Sequence, residues 1–137
     1  MNINIKNGDT SALRTAITGN AIFSALSGLI IVAFEPAVLS WLGLQQVAIY
    51  PVGLMLIGFA LYLTWMANCS RVPVMLVQGV IAGDWIWVIV SVFLIVFKAT
   101  AFSGFGVFLI LDIAVVVMTF ALLQGRALRQ ARIHLAS

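Results

Sequence analysis

The sequence predicts an all-α protein: a four-transmembrane-helix bundle of up-down topology, forming a single membrane domain over residues 1–137. Three observations predict it. First, 64% of the residues are hydrophobic and 8% are charged, with a mean hydropathy of +1.19. Soluble domains run near ~45–50% apolar and ~25% charged, because a mixed charged surface keeps a folded monomer in water. Second, the apolar residues fall into four runs, 16–34, 47–67, 74–97 and 105–123, of 19, 21, 24 and 19 residues. A helix needs roughly 20 residues, range about 17–25, to cross a hydrocarbon core of about 30 Å. Third, the basic residues segregate. Lys6, Arg14, Arg71, Arg126, Arg129 and Arg132 flank one set of run ends, and Lys98 alone flanks the other. This positive-inside bias predicts both termini in the cytoplasm and argues against dual topology, which needs nearly balanced loops.

The first run is the most diluted, with Thr18, Gly19, Asn20, Ser24, Ser27 and Gly28 among nine Leu, Ile, Val or Phe residues. Its length, and the Glu35-Pro36 that follows, disfavour a cleaved leader, which has a shorter apolar core and a small-residue cleavage site. Asp9 or Thr10 stands where a helix cap is expected. In 36–43, Pro36 suits a first helical turn and Gly43 a helix stop. Val38, Leu39, Trp41 and Leu42 make it an interfacial segment anchored by Trp41, in preference to a lid over a substrate. Tyr50, Pro51, Tyr62 and Trp65 bracket the second run as membrane anchors.

The third and fourth runs each hold an aspartate, and magnitudes decide whether they still insert. An Asp at the helix centre costs roughly 2.5–3.5 kcal/mol, and each Leu, Ile, Val or Phe returns roughly 0.3–0.6. With 15 and 13 such residues respectively, both runs remain favourable. Residues 124–137 form a basic tail in which Arg126, Arg129 and Arg132 recur every third position. Three arginines read as a topology signal, since a dedicated lipid-reading cluster carries about 4–8 basic residues.

Reactive side chains are scarce. Cys69 is the single cysteine, so neither an intramolecular disulfide nor paired-thiol chemistry is available. His134, the single histidine, lies in the tail, remote from any serine that a catalytic triad would use. The sequence has no ligand cluster for zinc or haem. No catalytic residue, metal or cofactor is therefore expected. A net charge of +3 gives no support for nucleic-acid binding. The expected partners are the lipid bilayer and either other membrane proteins or further copies of the chain.

Asp84 and Asp112 carry the sharpest functional reading, because an ionisable residue inside a span marks a site by default. By helical rise, Asp84 lies ~21 Å before Lys98 and Asp112 ~12 Å after Gly104, which separates them by roughly 9 Å in depth. They read as two sites or a relay rather than a dyad. Ser91 follows Asp84, and Thr119 follows Asp112, at i+7, where each extends a polar line along its helix face. The competing reading is that each carboxyl is a packing hydrogen bond, worth about 0.6–2 kcal/mol.

Gly79 and Gly83 form a GxxxG on the third span, and Ser24 and Gly28 a related small pair on the first. These faces predict a close crossing of the first and third spans that brings the region 20–27, where Asn20, Ser24 and Ser27 offer hydrogen-bond partners, near Asp84. Trp85 and Trp87 lie deeper than an interfacial belt, as bulk packing or as a wall for an organic cation. The stretches Asn20-Ala-Ile-Phe-Ser-Ala-Leu-Ser-Gly-Leu29 and Ala82-Gly-Asp-Trp-Ile-Trp-Val-Ile-Val-Ser91 resemble small uncharacterised four-helix proteins of bacterial inner membranes. The resemblance implies a bacterial cytoplasmic membrane and no particular activity. Small multidrug transporters carry a glutamate in the first span, absent here, and the glycine-rich motif ending in arginine of fluoride channels is also missing. The expectation is a non-enzymatic accessory or structural membrane protein. The alternative is a proton- or cation-coupled transporter or channel working as a homo-oligomer through Asp84 and Asp112.

Overall fold

The computed structural model describes residues 2–3, 10–45 and 47–136. In chain order these form β1 (Asn2–Ile3), α1 (Ser11–Ala33), α2 (Glu35–Leu42), α3 (Tyr50–Asn68), β2 (Val72–Pro73), α4 (Val74–Lys98), a 3-10 turn (Ala99–Ala101) and α5 (Gly104–Ala136). The helices α1, α3, α4 and α5 are long and apolar enough to cross a membrane. Lys6 and Asp9 lie outside the described residues.

Local chemistry explains where the helices stop and start. Thr10 takes the cap position of α1, without a capping bond from its side chain. Beyond Ala33 the backbone leaves helical geometry at Phe34, and Pro36 opens α2 in a first turn, where its missing N–H is not needed. At the other end of α2, Gly43 adopts φ +72°. Its N–H donates to the Ser40 carbonyl (3.1 Å) and that of Leu44 to the Leu39 carbonyl (2.9 Å), the paired bonds of a Schellman stop. Glu35 Oε1 accepts the N–H groups of Ile49 (3.1 Å) and Tyr50 (3.0 Å). One carboxylate thus satisfies two of the orphan donors at the start of α3.

The connector ending α2 is docked on the start of α5. Ser103 N–H donates to the Leu42 carbonyl (2.9 Å), and its hydroxyl donates to the Trp41 carbonyl (2.6 Å). The same hydroxyl accepts the Gly106 N–H (2.8 Å), capping α5. Gly106 permits the approach, since a Cβ there would lie 2.6 Å from the Leu42 carbonyl oxygen. The segment expected at 36–43 is therefore a helix held at the start of α5 by one backbone and one hydroxyl hydrogen bond from Ser103, with Val38 buried and Trp41 exposed.

Two extensive helix interfaces, α1 with α3 and α4 with α5, are joined by packing of α1 on α5. The α1–α3 crossing is built on glycine: a Cβ at Gly28 would meet the Gly53 carbonyl oxygen at 2.8 Å, and one at Gly53 would meet Ile31 and Val32 at 2.8 Å. On α5, Phe120 fills the space over Gly19 and stands 6.0 Å, centroid to centroid, from the Phe23 ring. The most completely buried apolar side chains gather at one region: Leu13 and Ile17 of α1, Leu63 and Met66 of α3, Val72, Val77 of α4, and Ala131 of α5. Most other large side chains on the spans face outward, among them Leu26, Leu61, Ile86, Ile89 and Phe108. So much exposed apolar surface suits hydrocarbon, not water.

The helix bounds differ most from expectation in the tail. Instead of ending at 123, α5 runs to Ala136. Gln124, Ala127, Leu128 and Ala131 recur at i, i+3, i+4 and i+7 and are all buried, while Arg126, Arg129 and Arg132 are exposed. Hydropathy marks where a helix leaves hydrocarbon, and this helix continues because one face still packs on the bundle.

Candidate functional site

Asp84 lies midway along α4 on the face turned into the bundle and is 3% exposed. Valine at Val77, Val80 and Val88 buries that face, which carries the carboxyl inward with it. Asn20 of α1, 1% exposed, donates from Nδ2 to Asp84 Oδ2 at 2.8 Å. Asn20 Oδ1 in turn accepts from the Ser24 hydroxyl at 3.3 Å. The three residues form a chain of hydrogen bonds linking α1 to α4, and none of the described basic residues forms an ion pair with Asp84.

The glycines expected to make that crossing do not make it. A Cβ added at Gly79 or Gly83 meets nothing within 4 Å, and both glycines are exposed. Gly28 serves α3, through Gly53 and Ile57, instead of α4. The physical reason is rotational: Gly79 and Gly83 share a stripe with exposed Ala82 and Ile86, turned away from the stripe of Val77, Val80 and Asp84. Asn20 and Asp84 meet because their side chains span the gap between the two helices.

Ser91 is buried on the face of Asp84 and Thr119 exposed on the face of Asp112, but neither hydroxyl bonds its aspartate. The Ser91 hydroxyl donates to the Trp87 carbonyl and that of Thr119 to the Val115 carbonyl, both at 2.8 Å and both one turn back on the same helix. The expected tryptophan wall also separates: Trp85 is exposed, whereas Trp87 is half-buried with its Nε1 enclosed and unpartnered. Successive positions two apart on a helix point to different sides.

Gln124 was not among the expected site residues. It is 0% exposed, and neither Nε2 nor Oε1 has a hydrogen-bond partner among the described residues. The signal for it was its place one turn after Phe120 and one turn before Leu128, on the face that α5 buries. Its position just beyond the apolar run concealed it.

Asp112 has a different setting from Asp84. It is exposed, on the outer face of α5, and the two carboxyls do not meet. Around it the exposed residues Phe105, Phe108, Asp112, Val115, Thr119 and Leu122 alternate spacings of three and four. The same spacing continues through exposed Arg126, Arg129 and Ile133. An apolar repeat averaging 3.5 residues is the seam one helix presents to another. Among the described residues no group of three or more His, Cys, Asp or Glu is placed to hold a metal ion. No known protein family, characterised protein or solved structure matches the chain.

Proposed function

We propose that the chain is a non-enzymatic, accessory or structural integral membrane protein that packs against partner membrane proteins, or against itself, along the outer seam of α5. The observation that carries this reading is Asp112, an exposed carboxyl within an otherwise apolar span and in the middle of that seam. Against lipid it costs roughly 2.5–3.5 kcal/mol near the bilayer centre, and a neighbouring helix that offers a donor offsets much of that. A polar residue at one seam position also sets register and partner number. The bias of basic residues supports cytoplasmic termini, and the resemblance to bacterial inner-membrane proteins supports a bacterial cytoplasmic membrane. Gentle extraction from native membranes, followed by mass determination, tests the reading. A complex that Asp112→Leu disperses supports it. A chain recovered alone, with the same mass before and after the substitution, overturns it.

A second reading, as a proton- or cation-coupled transporter, is favoured by the interior of the bundle. Asp84 is buried there against Asn20, which in turn accepts from the Ser24 hydroxyl. An intramembrane acid among polar groups is the usual form of a relay. Asp84→Asn in a proteoliposome flux assay decides it, because pH-dependent flux at the unsubstituted rate excludes Asp84 as the coupling group.

A further inference from the structure

A groove of about 300 Å³ runs between α1 and α3, away from Asp84 and from the α5 seam. Its mouth is polar. Arg14 and Thr18 line it from the first turns of α1, with Thr64 and Asn68 from the last turns of α3. Its wall further along α1, at Ala21, Ile22 and Ala25, is apolar. From Arg14 to Ala25 the helix rises about 16 Å, so the groove passes from helix ends into the apolar span.

The hydrogen-bond state of the mouth defines what fits it. The Thr64 hydroxyl donates to the Ala60 carbonyl (2.7 Å), and Asn68 Nδ2 donates to the Thr64 carbonyl (2.8 Å). These bonds use the Thr64 hydroxyl proton and one of the two Asn68 amide protons within α3. Among the described residues no acid pairs with Arg14 and no acceptor takes its five N–H donors, and the Thr18 hydroxyl lies one turn further along α1. The guanidinium of Arg14 beside the Thr18 hydroxyl, with the second amide proton of Asn68 across the mouth, is the chemistry of phosphate recognition. Exposed Arg71, three residues beyond the end of α3, adds a second cation at this end of the two helices. Basic pockets between spans on that side of a membrane take anionic lipid headgroups.

We propose that this groove is a binding site for an anionic phospholipid, with the phosphate at Arg14 and Thr18 and an acyl chain along Ala21 and Ala25. Free phosphate shares the headgroup chemistry but leaves the apolar wall unused. The site is independent of the α5 seam and of any transport role.

Native mass spectrometry of the full chain tests the proposal, after exchange into detergent with phosphatidylglycerol, phosphatidylcholine or inorganic phosphate. The expected result is phosphatidylglycerol adducts that outnumber phosphatidylcholine adducts, no competition from inorganic phosphate, and about fivefold lower retention in Arg14→Gln. Arg71→Gln, outside the groove, is expected to stay within twofold of the unsubstituted chain. Ala25→Phe keeps the cation but fills the wall, and it is expected to reduce retention as well. Arg14 is exposed, so its loss does not disturb the core. Equal losses in Arg14→Gln and Arg71→Gln would overturn the site in favour of diffuse charge attraction. Displacement of the lipid by inorganic phosphate, or full retention in Ala25→Phe, would overturn the lipid as its ligand.

Discussion

The Asn20–Asp84 hydrogen bond joins two helices whose backbones do not pack through their glycines, so the side chains themselves hold that contact. Replacing either partner by leucine leaves the other polar group buried without its bond, a loss of about 1–3 kcal/mol. The bond's own share is smaller, about 0.6–2 kcal/mol within a membrane bundle. A double-substitution cycle with Asn20→Leu and Asp84→Leu, read by unfolding in mixed detergent, is expected to show coupling of that size. Coupling near zero would mean that each group finds another partner once released. The glycines give a sharper contrast at the same scale. Gly28→Leu must displace the backbone of α3 at Gly53 and is expected to destabilise the monomer by at least the ~1–3 kcal/mol of an overpacked core. Gly83→Leu adds a side chain in open space and is expected to leave monomer stability unchanged in the same assay.

At the scale of elements, hydrogen bonds at helix ends set how the helices are held. Ser103 bonds both α2 and α5, so Ser103→Ala removes a cap worth about 0.5–2 kcal/mol and a tie between two connectors at once. Hydrogen exchange is expected to quicken at Leu44 and Val107 while Val77 and Val80 keep their protection. Uniform quickening would show that the tie supports the whole bundle. Glu35 and Ser103 illustrate what the sequence withheld. Pro36 and Gly43 announce the start and stop of α2 through backbone geometry alone, and α2 follows them. The carboxylate of Glu35 reaches fourteen residues ahead to the start of α3, a contact that no local spacing encodes. The extension of α5 was partly legible. Its buried Ala127, Leu128 and Ala131 keep helical period beyond the apolar run, but three arginines on the other face drew the reading toward topology.

For the whole molecule, the helices were legible because bilayer thickness sets a length that apolar runs either meet or miss. Their pairing was not. In hydrocarbon the outward face of a helix is as apolar as the inward one, so hydropathy could not separate the packed pair Gly28 and Gly53 from the open pair Gly79 and Gly83. It also could not separate buried Asp84 from exposed Asp112, since both stand in runs of similar composition. Orientation rests on a different kind of signal, the placement of a few charges, and it can be measured directly. Cys69 is the sole cysteine, so Cys69→Ser provides a background for reporters at exposed Ser70, between α3 and α4, and exposed Thr100, between α4 and α5. With cytoplasmic termini, Thr100→Cys is expected to react with a membrane-impermeant maleimide in intact cells, and Ser70→Cys only after permeabilisation. The reverse pattern would invert the molecule. Equal labelling of both sites in intact cells would mean that copies insert both ways, in spite of the charge bias. Adding two lysines beside Lys98 weakens that bias, and it is expected to shift labelling toward equality if the basic residues set orientation.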